Sequence, residues 1–232
     1  MISLVIGGGG REHAIVDALS RSPQVEKIYC APGNAGIARQ AECVNIKDTD
    51  VEALKEFALT HAIDLTVVGP EAALAAGVAD AFREAGLKIF GHSKAATRIE
   101  SSKEFAKQIM EKYSVPTAAY KSFTDFDEAL QYVKAGTLPT VLKYDGLAAG
   151  KGVLIIPDLE TANKELKEMF DGMFGNASAT VVIEEFLSGF ECSVFVLTDG
   201  DSYKILPVAK DYKRIGEGDK GLHTGGMGSV SP

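Results

Sequence analysis

One stretch constrains this chain of 232 residues more than any other: Val141 to Val153, Val-Leu-Lys-Tyr-Asp-Gly-Leu-Ala-Ala-Gly-Lys-Gly-Val. It opens as an apolar β-branched run, which reads as a strand. Lys143 closes that run, Gly146, Gly150 and Gly152 surround Lys151, and Val153 to Ile156 resumes an apolar strand. A glycine-rich loop between two strands, with a lysine at each end, can converge backbone N–H groups and two ammonium groups on a polyphosphate. It is not a Walker loop, because that motif needs Ser or Thr after its lysine and Gly152 stands there. The competing account is a surface hairpin with a solvated lysine.

The N-terminal hundred residues have a different rhythm. Ile2 to Ile6 is a short apolar strand running into Gly7, Gly8, Gly9 and Gly10, and Arg11-Glu12-His13-Ala14 opens a helix. Strand, glycine turn and helix N-terminus is an anion-binding geometry. The dinucleotide fingerprint fails, since a start at Gly7 or Gly8 puts Glu12 or His13 at its last position. The strand Lys27 to Cys30 offers no acidic residue for a ribose diol. A phosphate outside NAD fits better, with Arg11 as its clamp. Further strands are expected at Cys43–Ile46, Asp64–Val68 and Lys88–Phe90. Between them, Thr49-Asp50-Val51-Glu52 reads as a capping box for a helix through His61, and a second helix follows Gly69-Pro70-Glu71 and runs to Ala85. Alternating strands and helices predict a parallel sheet, with ligands beyond the carboxyl ends of its strands. The loops Gly7–Arg11, Pro32–Gly36 and Gly69–Glu71 lie at that edge, so Asn34, Gly36 and Glu71 join the candidates. Turn chemistry and helix capping compete for Asn34 and Glu71.

Residues 91–113 read as helical, with Ser93 and Ser101 as N-caps. Lys103 falls in a first turn, where the macrodipole disfavours a cation; it serves a ligand or is solvated. A strand at Ala118–Phe123, a helix at Phe126–Lys134, the lysine-glycine hairpin, a helix at Leu159–Phe170 and a strand at Thr180–Glu185 form a small unit suited to a movable lid. That last strand exits through Glu184, Glu185, Phe186 and Leu187, whose apolar walls and free backbone groups suit a purine base, and Glu191 follows at a spacing suited to a ribose diol. An exposed acidic hairpin is the alternative. Asp211 to Arg214 and His223 to Gly228 are polar and glycine-rich, and read as loops lining a site.

Composition narrows the partners. A net charge of −8 argues against nucleic acid or an anionic membrane as the main partner. Three cysteines without metal-like spacing fit a reducing cytoplasm. No signal peptide or membrane span is visible. His13, His61, His92 and His223 show no mutual metal spacing.

Taken together, Gly-Gly-Arg-Glu-His-Ala, Ala-Pro-Gly-Asn-Ala-Gly, Val-Gly-Pro-Glu, Ser-Ser-Lys-Glu-Phe-Ala, Asp-Gly-Leu-Ala-Ala-Gly-Lys-Gly-Val, Glu-Glu-Phe-Leu-Ser-Gly-Phe-Glu, Asp-Tyr-Lys-Arg and Thr-Gly-Gly-Met-Gly-Ser-Val-Ser-Pro form a highly specific set. From Met1 to Pro232 the chain resembles the phosphoribosylamine–glycine ligase family, also called glycinamide ribonucleotide synthetases, which are ATP-grasp carboxylate–amine ligases of purine biosynthesis. The resemblance implies an α/β fold: a Rossmann-like parallel-sheet domain over residues 1–100, then a partial ATP-grasp domain over 101–118 and 190–232 with a small α+β lid over 119–189. It implies that the glycine carboxylate attacks the γ-phosphate of ATP, releasing ADP and forming an acyl phosphate, from which the amine of 5-phosphoribosylamine then displaces phosphate.

By the same resemblance Lys103, Lys143 and Lys151 serve the ATP phosphates, Glu184 to Leu187 the adenine and Glu191 the ribose. Gly8 to Arg11 and Asn34 resemble the phosphoribosylamine site. Asp211, Lys213, Thr224, Gly225, Gly226 and Met227 fall where the family closes around substrate and phosphate. No metal ligand is assigned within this sequence. Magnesium or manganese is expected to be held by the family's later strands, so the chain reads as an N-terminal half, inactive alone and prone to self-association. Tyr144 departs from the family's alanine and His223 from its asparagine. The rival readings are an ATP-grasp ligase with another acceptor, a non-catalytic nucleotide-binding fragment, and an NAD oxidoreductase, which the failed fingerprint and the missing ribose acid oppose.

Overall fold

The computed structural model describes residues 1–147, 152–172, 180–218 and 220–231. It divides the chain into two units, Met1–Ser101 and Ser102–Pro232.

In the first unit the apolar runs become β1 (Ile2–Gly7), β2 (Lys27–Pro32), β3 (Glu42–Cys43), β4 (Leu65–Val68) and β5 (Ile89–Phe90), all parallel in the order β3-β2-β1-β4-β5. The helices are α1 (Gly10–Ser20), α2 (Val51–Thr60), α3 (Glu71–Ala76), α4 (Val78–Glu84) and α5 (Lys94–Ser101). Side chains alternate across a strand, so β1 feeds two cores. Leu4 and Ile6 pack with Leu54, Ala73, Val78 and Phe82, whereas Val5 packs on the other face with Val16, Ile28 and Ile37. Both faces are covered, as a parallel sheet requires.

Four local expectations need correction. The third strand is Glu42–Cys43, not Cys43–Ile46. The helix expected to Ala85 breaks at Gly77, whose φ of +99° a side chain would resist. The cap of α2 is Asp50, which accepts from Ala53 N at 3.2 Å, rather than Thr49. The 91–113 helix is interrupted: α5 ends at Ser101, and Ser102 caps the next helix by accepting from Phe105 N at 3.1 Å.

The second unit opens with α6 (Lys103–Lys112). An antiparallel sheet follows from β6 (Tyr120–Phe123), β7 (Thr140–Tyr144), β8 (Val153–Ile156) and β9 (Val181–Glu185), in the order β6-β9-β7-β8. The helices α7 (Phe126–Ala135) and α8 (Leu159–Phe170) cover one face, where Leu142, Ile156, Val181 and Ile183 meet Leu130, Leu166 and Met169. The tail is not loop. It forms two hairpins, β10 (Val196–Thr198) with β11 (Tyr203–Ile205) and β12 (Lys210–Gly216) with β13 (Lys220–Val230). Gly221, Gly226 and Gly228 hid the second hairpin, since glycine has poor strand propensity. Among the described residues, no helix is long and apolar enough to cross a membrane.

Candidate functional site

In the first unit the strand order reverses between β1 and β4, so their carboxyl ends border a switch point where ligands of such sheets bind. The loop after β1 is sewn to the loop after β2. Gly33 N donates to Gly7 O at 3.1 Å, and Asn34 Nδ2 donates to Gly8 O at 2.8 Å. Asn34 Oδ1 accepts from Gly36 N and Ile37 N at 2.8 and 2.9 Å, so its amide shapes the loop at both ends. Gly8 permits this approach, since a Cβ there would stand 2.6 Å from Gly33 O.

Glu12, which sequence reasoning passed over, lies buried beneath this edge. Its Oε2 accepts from Gly9 N at 2.6 Å and its Oε1 from Arg11 Nε at 3.1 Å. Gly69 has no room for a side chain because Glu12 occupies that space. Arg11 reaches from α1 to Glu71, at the start of α3, with a distance of 3.3 Å. Burial alone would lower the Arg11 pKa, but hydrogen bonds to Glu12 and Glu71 outweigh it and hold the guanidinium above its ordinary value. Arg11 and Glu71, distant in sequence, are thus brought together. Nearby, burial pushes the Cys30 thiol up to about 12.

In the second unit the sheet face opposite α7 and α8 carries charge. Val141 pairs with Glu184 and Lys143 with Val182, so Lys143 and Glu184 are diagonal neighbours on one face. Lys143 Nζ lies 2.9 Å from Glu184 Oε1, and Lys107 Nζ, from α6, lies 3.0 Å from Glu184 Oε2. Lys107 was also missed; a lysine on an amphipathic helix reads as solvated, and its position one turn after Lys103 was the available signal. Lys103 Nζ donates to Gly146 O. Asp145 ties α6 to the segment after β7, accepting from Ser102 Oγ at 3.1 Å and Glu104 N at 3.2 Å. Gly146 has φ +152°, and a Cβ on it would meet the Tyr144 ring at 2.7 Å, so Tyr144 packs directly beneath this turn. Gly152 O accepts from Tyr144 N at 2.8 Å. Gly150 and Lys151 lie outside the described residues.

Beyond β9 the expected hinge residues divide. Glu185 Oε1 accepts from Ala119 N at 2.9 Å, whereas Phe186 and Leu187 are exposed. Glu191 pairs with Lys213 at 2.5 Å, and Asp211 Oδ2 stands 3.5 Å from the same ammonium. The hydrogen bond to Glu191 is the first cause of a raised Lys213 pKa. Asp211 Oδ1 is buried without a hydrogen-bond partner among the described residues. In β13, Thr224 Oγ1 donates to Lys213 O at 2.8 Å and accepts from Gly226 N at 3.1 Å, Gly225 lies between them, and Met227 is exposed. The side chain of His223 lies outside the described residues. Among those residues, no group of three or more His, Cys, Asp or Glu side chains is placed to hold a metal.

Comparison with known proteins agrees with this division. The family model described as phosphoribosylglycinamide synthetase, N domain, matches residues 1–100, and that of the ATP-grasp (A) domain of the same synthetase matches residues 101–232. The chain is 54% identical over 230 residues to a phosphoribosylamine–glycine ligase of Caldanaerobacter subterraneus, covering 99% of this chain and 55% of the relative. It is 50% identical to that of Haemophilus influenzae, covering 99% and 54%. The chain therefore spans about half the length of the curated relatives it matches. The crystal structure of phosphoribosylamine–glycine ligase from Thermotoga maritima superposes with a TM-score of 0.81 at 34% identity, covering 99% of this chain and 55% of that one. N5-carboxyaminoimidazole synthase of Aspergillus clavatus, solved with ADP and 5-aminoimidazole ribonucleotide, has a TM-score of 0.70 at 18% identity, covering 92% and 54%; it shows the fold alone.

Proposed function

The chain belongs to the phosphoribosylglycinamide synthetase family, and from that premise we propose that it serves an ATP-dependent carboxylate–amine ligase of purine biosynthesis, joining glycine to 5-phosphoribosylamine. The observation that carries this reading is the charged face of the second unit. Lys143 is partly open to solvent beside the buried carboxylate of Glu184, and one residue beyond Glu184 β9 ends and leads into exposed Phe186 and Leu187. In this reading Lys143 and Lys103 neutralise polyphosphate, with Gly146, Gly150, Lys151 and Gly152 closing over it. The backbone after Glu185 receives adenine, and Glu191 receives ribose. The segment 119–189 acts as the lid, on residues 101–118 and 190–232.

Arg11 and the N–H groups at the start of α1 would take the phosphate of 5-phosphoribosylamine, with Asn34 shaping the adjoining loop. Asp211, Lys213 and Thr224 to Met227 would border the reacting groups. Such a site acts by positioning and by charge neutralisation, without a side-chain nucleophile. Magnesium or manganese would accompany ATP in the proposed activity, with its ligands expected from the family's later strands. A cytoplasmic setting suits small metabolite substrates and three free thiols.

The test is titration calorimetry with ATP, NAD and ribose 5-phosphate, each alone. Binding of ATP and ribose 5-phosphate is expected. A preference for NAD over both overturns the reading.

A further inference from the structure

Nothing in the proposed function uses Lys107, yet it is 5% exposed and the only buried residue of α6. A buried ammonium is costly unless charge and hydrogen bonds compensate it. Lys107 Nζ donates to Thr117 Oγ1 at 2.8 Å and Ala118 O at 3.0 Å, and pairs with Glu184 Oε2 at 3.0 Å. An ammonium has three donors, and three oxygens meet them, so Lys107 is turned inward rather than toward a ligand. Lys143 differs. Its side chain is 28% exposed, and among the described residues its charge partner is the other oxygen of Glu184. That contact is charge pairing, since Glu184 Oε1 accepts no aligned hydrogen bond. Two ammonium groups face one carboxylate, which leaves a formal charge of +1.

We propose that Lys107 is a positioning residue for polyphosphate binding: by engaging one oxygen of Glu184, it lets that carboxylate orient Lys143 without cancelling its charge. The inference rests on the proposed ATP-binding role of Lys143. Without Lys107, Glu184 and Lys143 would form a neutral pair, and an entering phosphate would compete with a carboxylate whose whole charge faces the same lysine. In a poorly solvated site that difference is large. The competing account is that Lys107 only buttresses β6 and β9. That account concerns packing, whereas the proposal concerns the sum of charges, and the two separate when charge is restored by another route.

The test uses the 232-residue chain, with ATP affinity by calorimetry and adenosine affinity by ligand-observed NMR. Lys107→Met should weaken ATP about tenfold or more, the scale of one charge-assisted contact, and leave adenosine unchanged. Lys107→Met with Glu184→Gln returns the site to +1 and should recover most of the ATP affinity. Unchanged ATP affinity in Lys107→Met, or equal losses for both ligands with no recovery in the double variant, overturns the proposal. If the single variant does not fold, the double variant decides. Near-native ATP affinity supports the proposal, and a tenfold loss with intact adenosine binding overturns it. A wild-type chain that binds neither ligand overturns the ATP-binding reading itself, and this inference with it.

Discussion

Glu12 and Glu184 are both buried glutamates, and they keep company of opposite sign. Around Glu12 one cation, Arg11, meets two carboxylates, Glu12 and Glu71. Around Glu184 one carboxylate meets two cations, Lys107 and Lys143. The formal sums are −1 and +1. An anionic ligand finds unspent positive charge in the second unit, but in the first it must take Arg11 from a carboxylate. Glu71 is the partner it can displace, being 45% exposed where Glu12 is 4% exposed. Both clusters stand where phosphate is expected, so the comparison separates a site charged in advance from one charged by exchange.

The largest effect should come from Glu184→Ala. It strands Lys107 as an unpaired buried charge, which costs about 3–5 kcal/mol. Glu12→Ala removes a buried carboxylate whose partners are a backbone N–H and a half-exposed guanidinium, and should cost less, about 1–3 kcal/mol. Urea denaturation of both variants checks the order. Equal losses would mean that the surplus of cations around Glu184 carries no structural weight.

Arg11→Ala is expected to weaken ribose 5-phosphate binding by about 1.5–3 kcal/mol, the range for a charged hydrogen bond, and to leave ATP affinity unaltered. If the site is charged by exchange, Glu71→Gln should tighten the same ligand. Calorimetry on both variants decides. Tighter binding in neither Glu71→Gln nor wild type relative to Arg11→Ala removes Arg11 from the phosphate site.

What the sequence revealed, and what it hid, follows the same line. The parallel sheet was legible because short apolar runs end in glycines and are followed by capped helices, and Leu4, Val5 and Ile6 needed only a covering on both faces. Arg11 and Lys143 were legible as cations near glycine turns. Their counter-charges were not. Glu71 reaches Arg11 across the sheet edge, and Glu184 meets Lys143 because the register places the two diagonally on one face. Lys107 looked like any lysine on a polar helix. The β12–β13 hairpin was hidden because its glycines weaken the strand pattern.

Packing around Glu12 offers a third test. Gly69→Ala drives a Cβ into the Glu12 carboxylate, and overpacking of that kind costs about 1–3 kcal/mol. Gly10→Ala is the control. A Cβ there meets nothing within 4 Å, and alanine in a first turn should be neutral or stabilising by about 0.5–1 kcal/mol. Thermal denaturation of the pair measures both. A tolerated Gly69→Ala would show that Glu12 can leave its place, and would weaken its standing as the fixed partner of Arg11.

The smallest effect concerns acid. Partial burial would raise the Glu71 pKa, but its own backbone N–H and Arg11 prevail and hold the carboxyl below its ordinary value. A depressed folded pKa means that the pair stabilises above the unfolded value near ~4.3, and that the contribution is lost as pH falls through the folded value. Water reaches both partners, so the contribution is about 0–1 kcal/mol. Wild type and Glu71→Gln should therefore differ by this amount in urea midpoints near pH ~7, and converge as the pH falls below the depressed folded value, where the carboxyl is protonated in both states. A gap that persists in acid would assign the effect to hydrogen bonding rather than charge. No gap at neutral pH would mean that Glu12 alone balances Arg11. The first cluster would then act as a neutral pair with a bystander, and its contrast with the lysine-rich site would be one charge smaller.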